Sequence, residues 1–153
     1  MAHRAVIGLI SAGPCAPPAL ARGRRPRGAK GAGIRYEKLA ARALPSCLHN
    51  PWYQFRDANG PGLCSPDLVA TAEGHVVVLE CKLGNYVAAD AQLRELYFPV
   101  LGWVYRNPVR GIILVRHLSR DIPATRVCTS LTSALARPPD TIPILHWLGR
   151  GPI

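Results

Sequence analysis

The chain has 153 residues, 48% of them apolar, enough for one domain with its own core. Nineteen Lys and Arg against nine Asp and Glu give a formal charge of +10, which points to a polyanionic partner. No apolar run reaches membrane-spanning length, no basic amphipathic helix suits a membrane surface, and the five cysteines form no C-x-x-C pair or Cys/His cluster, so no membrane protein or zinc finger is expected.

Residues 1–30 read as a flexible arm. The stretch from Ala5 to Ala12 after Arg4 is too short and glycine-containing for a signal peptide, and the basic residues follow it. Pro14, Pro17, Pro18 and Pro26 oppose helix. Arg22, Arg24, Arg25, Arg27 and Lys30 then form a basic tract between glycines, suited either to phosphate contact or to a solvated tail. The domain proper is expected over 31–153.

Ile34, Leu39, Ala40, Ala43 and Leu44 recur at helical spacing and predict a helix over 34–48, with Glu37 beside the apolar stripe. Strands are expected over 52–56, 66–71 and 75–83, joined by a turn at 57–62 and a tight link at 72–74. Together they make an antiparallel meander. A second helix is expected over 87–98, limited by Pro99, and then an apolar strand over 110–116 that suits a central position. The tail after Ser119 is proline-rich, and 142–147 fits a strand or a short helix. This order predicts an α/β fold with a mixed sheet flanked by helices.

The informative stretch runs from Ser65 to Leu83. Of nine acidic residues, Asp67 and Glu80 are the two embedded in apolar strands. A buried charge is costly unless paired or holding a metal. Strand side chains alternate, so Glu80 and Lys82 share a face while Cys81 points to the other. Two carboxylates, with the backbone carbonyl of Cys81 between Glu80 and Lys82, form an oxygen donor set for a hard cation such as Mg²⁺. Lys82 is placed to orient or activate a water, or to offset charge on a phosphate. A same-face ion pair on a solvated strand is the alternative for Glu80 and Lys82. There is no G-x-x-x-x-G-K-[ST] loop. His75 reads as structural, and His49, His117 and His146 show no partner spacing.

Pro66-Asp67 followed by Glu80-Cys81-Lys82 resembles the signature of the PD-(D/E)XK nuclease superfamily, and the element order resembles its restriction-endonuclease-like α-β-β-β-α-β core. The resemblance covers roughly 31–115. It implies metal-dependent hydrolysis of DNA phosphodiesters with Mg²⁺ or Mn²⁺, in repair, recombination or phage DNA processing. Asp67, Glu80 and the carbonyl of Cys81 would hold the metal, and Lys82 would serve the attacking water. Tyr36-Glu37 matches the position of a first-helix glutamate that joins the metal site in many members. Gln92 matches the glutamine of a Q-x-x-x-Y pattern found in some branches. The tyrosine is displaced here, with Leu96 in the expected place and Tyr97 after it.

Phosphate contacts are expected from the arm and from Arg94, Arg106 and Arg110, on DNA first, with RNA also admitted by the residues. Many enzymes of this fold cut two strands as dimers, so a homodimer is also expected. Free thiols suit a reducing cytoplasm, and heavy use of Ala, Arg, Gly and Pro suits a GC-rich microbial or phage genome. A non-catalytic DNA- or RNA-binding protein on the same core stands beside the nuclease reading.

Overall fold

The computed structural model describes residues 8–9, 13–16 and 28–153. Its frame is a mixed six-stranded sheet of order β2-β5-β6-β7-β9-β8. These strands are β2 (Leu48–His49), β5 (Leu68–Ala72), β6 (His75–Lys82), β7 (Val109–Val115), β8 (Val127–Cys128) and β9 (Ile144–His146). A separate three-stranded sheet holds β1 (Gly8–Leu9), β3 (Tyr53–Asp57) and β4 (Gly60–Cys64), in the order β1-β3-β4. The expected α/β class with a mixed sheet and flanking helices is what is seen.

β6 is buried from Val76 to Cys81, and β7 is buried from Arg110 to Val115. Near-continuous apolar strands of this kind are covered on both faces. Val77, Leu79, Ile112 and Leu114 pack on one side against Tyr36 and Ala40 of α1 (Gly28–Ala43) and Ala134 of α4 (Leu131–Leu135). Val76, Val78, Ile113 and Val115 pack on the other side against a helical run over 87–105. That run comprises α2 (Val87–Gln92), a π-helical turn (Leu93–Tyr97) and α3 (Phe98–Tyr105). Burying each such Leu, Ile or Val contributes roughly 1.5–3 kcal/mol.

β5 and β6 are antiparallel through the two-residue link Glu73-Gly74, both at positive φ (51° and 76°), as a twisted hairpin turn requires. β6 and β7 are parallel, so the chain must cross over between them, and the helical run over 87–105 is that crossover.

Three expectations need correction. The expected first strand of the meander, β3, does not join β5. It pairs with β4, which was read as a turn and an unassigned stretch because Gly60-Pro61-Gly62 carries no strand pattern. The edge of β5 is taken instead by the two exposed residues of β2. The first helix runs over 28–43 rather than 34–48, since Pro45 disfavours helix at the residue before it. Lys30 therefore lies exposed on α1 and not in the arm, while Arg22, Arg24, Arg25 and Arg27 lie outside the described residues. Pro99 does not end the second helix. It sits in the first turn of α3, and the helical run continues through it. Proline cannot donate to the Glu95 carbonyl and crowds it, and the preceding turn widens to a π-helix in which the Phe98 N–H reaches the Leu93 carbonyl. Within 142–147, where the sequence fits either strand or helix, Ile144–His146 form the strand β9, and the proline-rich tail adds β8 and α4, the latter closed by a reciprocal Ser130–Ser133 capping box.

Gly111 on β7 lets this crossover settle on the sheet. A Cβ there would lie 2.6 Å from Cζ of Phe98 and 3.4 Å from Cδ1 of Leu93. Gly111→Val is expected to destabilise the fold by about 1–3 kcal/mol through overpacking, read as a lower denaturation midpoint. An unchanged midpoint would mean that the Phe98 ring moves aside without cost.

Candidate functional site

The antiparallel register that pairs Leu68 with Leu79 brings Asp67 opposite Glu80, at the C-terminal end of β6. The two residues hold one another through the backbone. The Asp67 N–H donates to Glu80 Oε1 (3.2 Å), and the Cys81 N–H donates to Asp67 Oδ2 (2.7 Å). Lys82 Nζ lies 3.0 Å from Glu80 Oε2 and 4.0 Å from Asp67 Oδ2. Strand alternation accounts for the rest: Glu80 and Lys82 share the face of α2 and α3, while the Cys81 side chain packs against α1. The three residues singled out for chemistry are thus brought together.

The three are withdrawn from solvent to different degrees. The Glu80 side chain is 2% exposed, Asp67 19% and Lys82 29%. Burial, then the nearby Glu80 charge, push the Asp67 carboxyl up to about 7, with a smaller push from Glu37; the Cys81 N–H and the Lys82 ammonium act the other way. Burial is the largest influence on Lys82 and lowers its pKa, but Glu80 and Asp67 together outweigh it, so the net shift is upward. Burial also drives the Cys81 thiol well above its ordinary value, with the three carboxylates adding to it. Crowded, largely buried acids with shifted pKa values are a common mark of a functional site.

Glu37 reaches the site from α1. Its Oε1 meets His49 Nε2 and Asn50 Nδ2, each at 2.6 Å. Gln92 reaches from α2, where its Nε2 donates to the Tyr97 hydroxyl (2.6 Å), which in turn donates to the Ser65 carbonyl (3.1 Å). In an α-helix a residue five positions on would point away from Gln92. The π-turn adds a residue to the circuit and brings Tyr97 back onto its face, so the displaced tyrosine meets the glutamine after all. Burial first, then the Glu80 and Asp67 charges, raise the Tyr97 phenol far above its usual range, so it stays a neutral donor beside the acids.

The basic residues divide. Arg94 is exposed and is engaged by Asp90 (3.3 Å) and the Asp140 carbonyl (3.3 Å). Arg106 is exposed at the left-handed C-cap of α3. Arg110 is not available for phosphate. It is 6% exposed and donates to the Arg137 carbonyl at 2.6 Å, because it lies within a central strand covered on both sides. Residues not expected at the site are His49, Asn50 and Tyr97. Tyr97 was signalled by a glutamine–tyrosine spacing one residue too long just before a proline. His49 and Asn50 carried no signal, since they sit on and just after a strand of two exposed residues.

No family model matches this chain, and no curated protein or solved structure matches it either. Among the described residues, no helix is long and apolar enough to cross a membrane.

The donor set is two carboxylates and a backbone carbonyl, all oxygen. That chemistry fits Mg²⁺ or Mn²⁺, which take few protein ligands and leave positions to water and phosphate. Among the described residues no three His, Cys, Asp or Glu side chains are grouped to hold an ion by themselves.

With no cation bound, the raised Asp67 pKa sets a pH dependence. The folded state holds this proton more tightly than the unfolded chain, whose carboxyl has the ordinary value of about 3.8. The stabilising contribution is complete below about pH 4 and is lost as pH rises through about 7. Asp67→Asn removes the charge but keeps an acceptor. Its Tm in EDTA is expected to exceed that of the parent by at least about 2–4 °C at pH 8, the shift that ~1 kcal/mol produces at this size, and to converge with it at pH 4. A gap constant with pH would overturn the assignment.

Proposed function

We propose that this chain is a metal-dependent nuclease that hydrolyses phosphodiester bonds, with DNA as its substrate class. The observation that carries the reading is the convergence of Asp67, Glu80 and Lys82 at one end of the β5–β6 pair, with Glu80 buried and Asp67 and Lys82 partly exposed. The similarity of Pro66-Asp67 and Glu80-Cys81-Lys82 to the PD-(D/E)XK signature, and of the core to a restriction-endonuclease-like fold, supports it. The formal charge of +10 suits a polyanionic substrate.

Asp67, Glu80 and the Cys81 carbonyl would hold Mg²⁺ or Mn²⁺. Such an ion lowers the pKa of its water and neutralises charge on phosphate oxygens. The protein supplies position. The reciprocal bonds between the Asp67 and Cys81 backbones and the two carboxylates fix both acids before any ligand arrives. Lys82 keeps an ammonium beside them, placed to orient a water or to offset charge growing on the phosphate. Tyr97 and Gln92 wall the site on the α2 side and hold the Ser65 carbonyl, two residues before Asp67. Glu37 assists from α1. The arm residues Arg22, Arg24, Arg25 and Arg27, with Lys30 and Arg94, would add phosphate contacts that weaken with salt. A cytoplasmic enzyme of a microbe or phage-infected cell, acting as a homodimer in DNA repair or recombination, completes the proposal.

A non-catalytic DNA- or RNA-binding protein on the same core is the second reading. It is favoured by the formal charge of +10, which suits binding to a polyanion with or without cleavage.

The deciding experiment is cleavage of labelled duplex, single-stranded and four-way-junction DNA, with Mg²⁺, with Mn²⁺ and with EDTA. Cutting is expected only with metal, and Lys82→Ala is expected to lower it by about 10²-fold or more while DNA binding persists. Asp67→Asn should lose metal binding. Equal cutting by both variants would overturn the site, and tight binding without cutting in any metal would favour the second reading.

A further inference from the structure

The environment of Glu37 points beyond these roles. Its carboxylate is 12% exposed and is covered by His49, itself 32% exposed. Two donors, His49 Nε2 and Asn50 Nδ2, converge on the single oxygen Oε1 at 2.6 Å, and they lie 3.2 Å from each other. Contacts this short to a charged acceptor are among the stronger hydrogen bonds. The same Asn50 donates its backbone N–H to the Asp67 carbonyl at 2.9 Å. Its φ of 50° lies in the left-handed region, which asparagine tolerates better than most residues. His49 pairs with Leu68, so β2 runs along β5 next to Asp67.

One continuous path therefore leads from the Glu37 carboxylate, through the Asn50 side chain and backbone, to the main chain of Asp67. It joins α1, which covers one face of the sheet, to the acids at the sheet's end. We propose that His49 and Asn50 are positioning residues that lock Glu37 and, through Asn50, set the carboxylate of Asp67 for cation binding. The inference rests on the nuclease reading and deepens it. It assigns Glu37 a bracing role through the backbone, in a chain where an exposed strand residue and the exposed residue after it would otherwise have no reason to carry His-Asn.

The test uses the full chain and its variants His49→Ala, His49→Gln, Asn50→Gly and Glu37→Ala, with the double variant Glu37→Ala/His49→Ala. Asn50→Gly keeps the left-handed backbone and removes only the side chain. Mn²⁺ affinity by calorimetry, kcat and KM for DNA cleavage, and Tm are measured on each. His49→Ala and Asn50→Gly are expected to weaken Mn²⁺ binding and lower kcat by about 10- to 100-fold, the usual loss when a ligand's supporting contact is removed, with KM and Tm nearly unchanged. His49→Gln, whose amide can replace the Nε2 donor, should recover most of the loss. Adding His49→Ala to Glu37→Ala should cost nothing further, as expected of residues acting in one chain of contacts. Additive losses, or losses that track Tm, would overturn the positioning role while leaving the nuclease reading intact, as would variants equal to the parent. A parent that neither binds Mn²⁺ nor cuts DNA would overturn the nuclease reading itself, and this inference with it.

Discussion

Asp67 and Glu80 stand side by side at the end of two strands whose remaining residues are almost wholly apolar. Like charges this close repel, and burial raises the cost of each. The surrounding arrangement bears on that conflict. The Cys81 N–H and the Asp67 N–H are turned onto the carboxylates, Lys82 lies across them, and Tyr97 remains a neutral hydroxyl beside them. These contacts lessen the conflict without removing it, since the Asp67 carboxyl still sits near 7. A region built for stability alone would place apolar residues here. Retaining two acids under these conditions is the physical argument for a cation, and it is independent of any likeness to a nuclease motif.

The site also draws on both faces of the sheet. Glu80 and Lys82 look toward α2 and α3, while the Cys81 side chain looks toward α1. Asp67, just before β5, lies where the two layers meet. Contacts arrive from Glu37 on one side, by way of Asn50, and from Gln92 and Tyr97 on the other, by way of the Ser65 carbonyl. The strand pair sets the spacing of the acids, and the two helical layers set the orientation of the segment that carries Asp67.

Much of this was legible in the residues. The β5–β6 hairpin, the same-face placement of Glu80 and Lys82, the opposite facing of Cys81 and the buried central strand β7 follow from period-two alternation and apolar runs, which are local signals. What was not legible depended on pairing over longer range. Nothing in Leu48-His49 marks a strand, because two exposed residues form one only when β5 offers a free edge. Gly60-Pro61-Gly62 looks like a turn, because its strand character comes from its partner β3 and not from propensity. Arg110 reads as a surface base until the strands and helices on either side of it are in place.

The tyrosine shows how a local irregularity changes the meaning of spacing. In the sequence, Gln92 and Tyr97 are five apart and fall on different faces of an α-helix. Pro99 removes one donor from the helical ladder and crowds the Glu95 carbonyl, and the turn before it opens by one residue. At i→i+5 the two side chains stack along one face, and the hydroxyl lands between Gln92 and the Ser65 carbonyl. Gly111 is part of the same solution, for Phe98 at the exit of the widened turn rests where a β-carbon would stand. An extra residue in the helix, a proline two positions later and a glycine on the facing strand are three departures from regular pattern. Together they return one hydroxyl to the edge of the acid cluster, and none of them is intelligible without the other two.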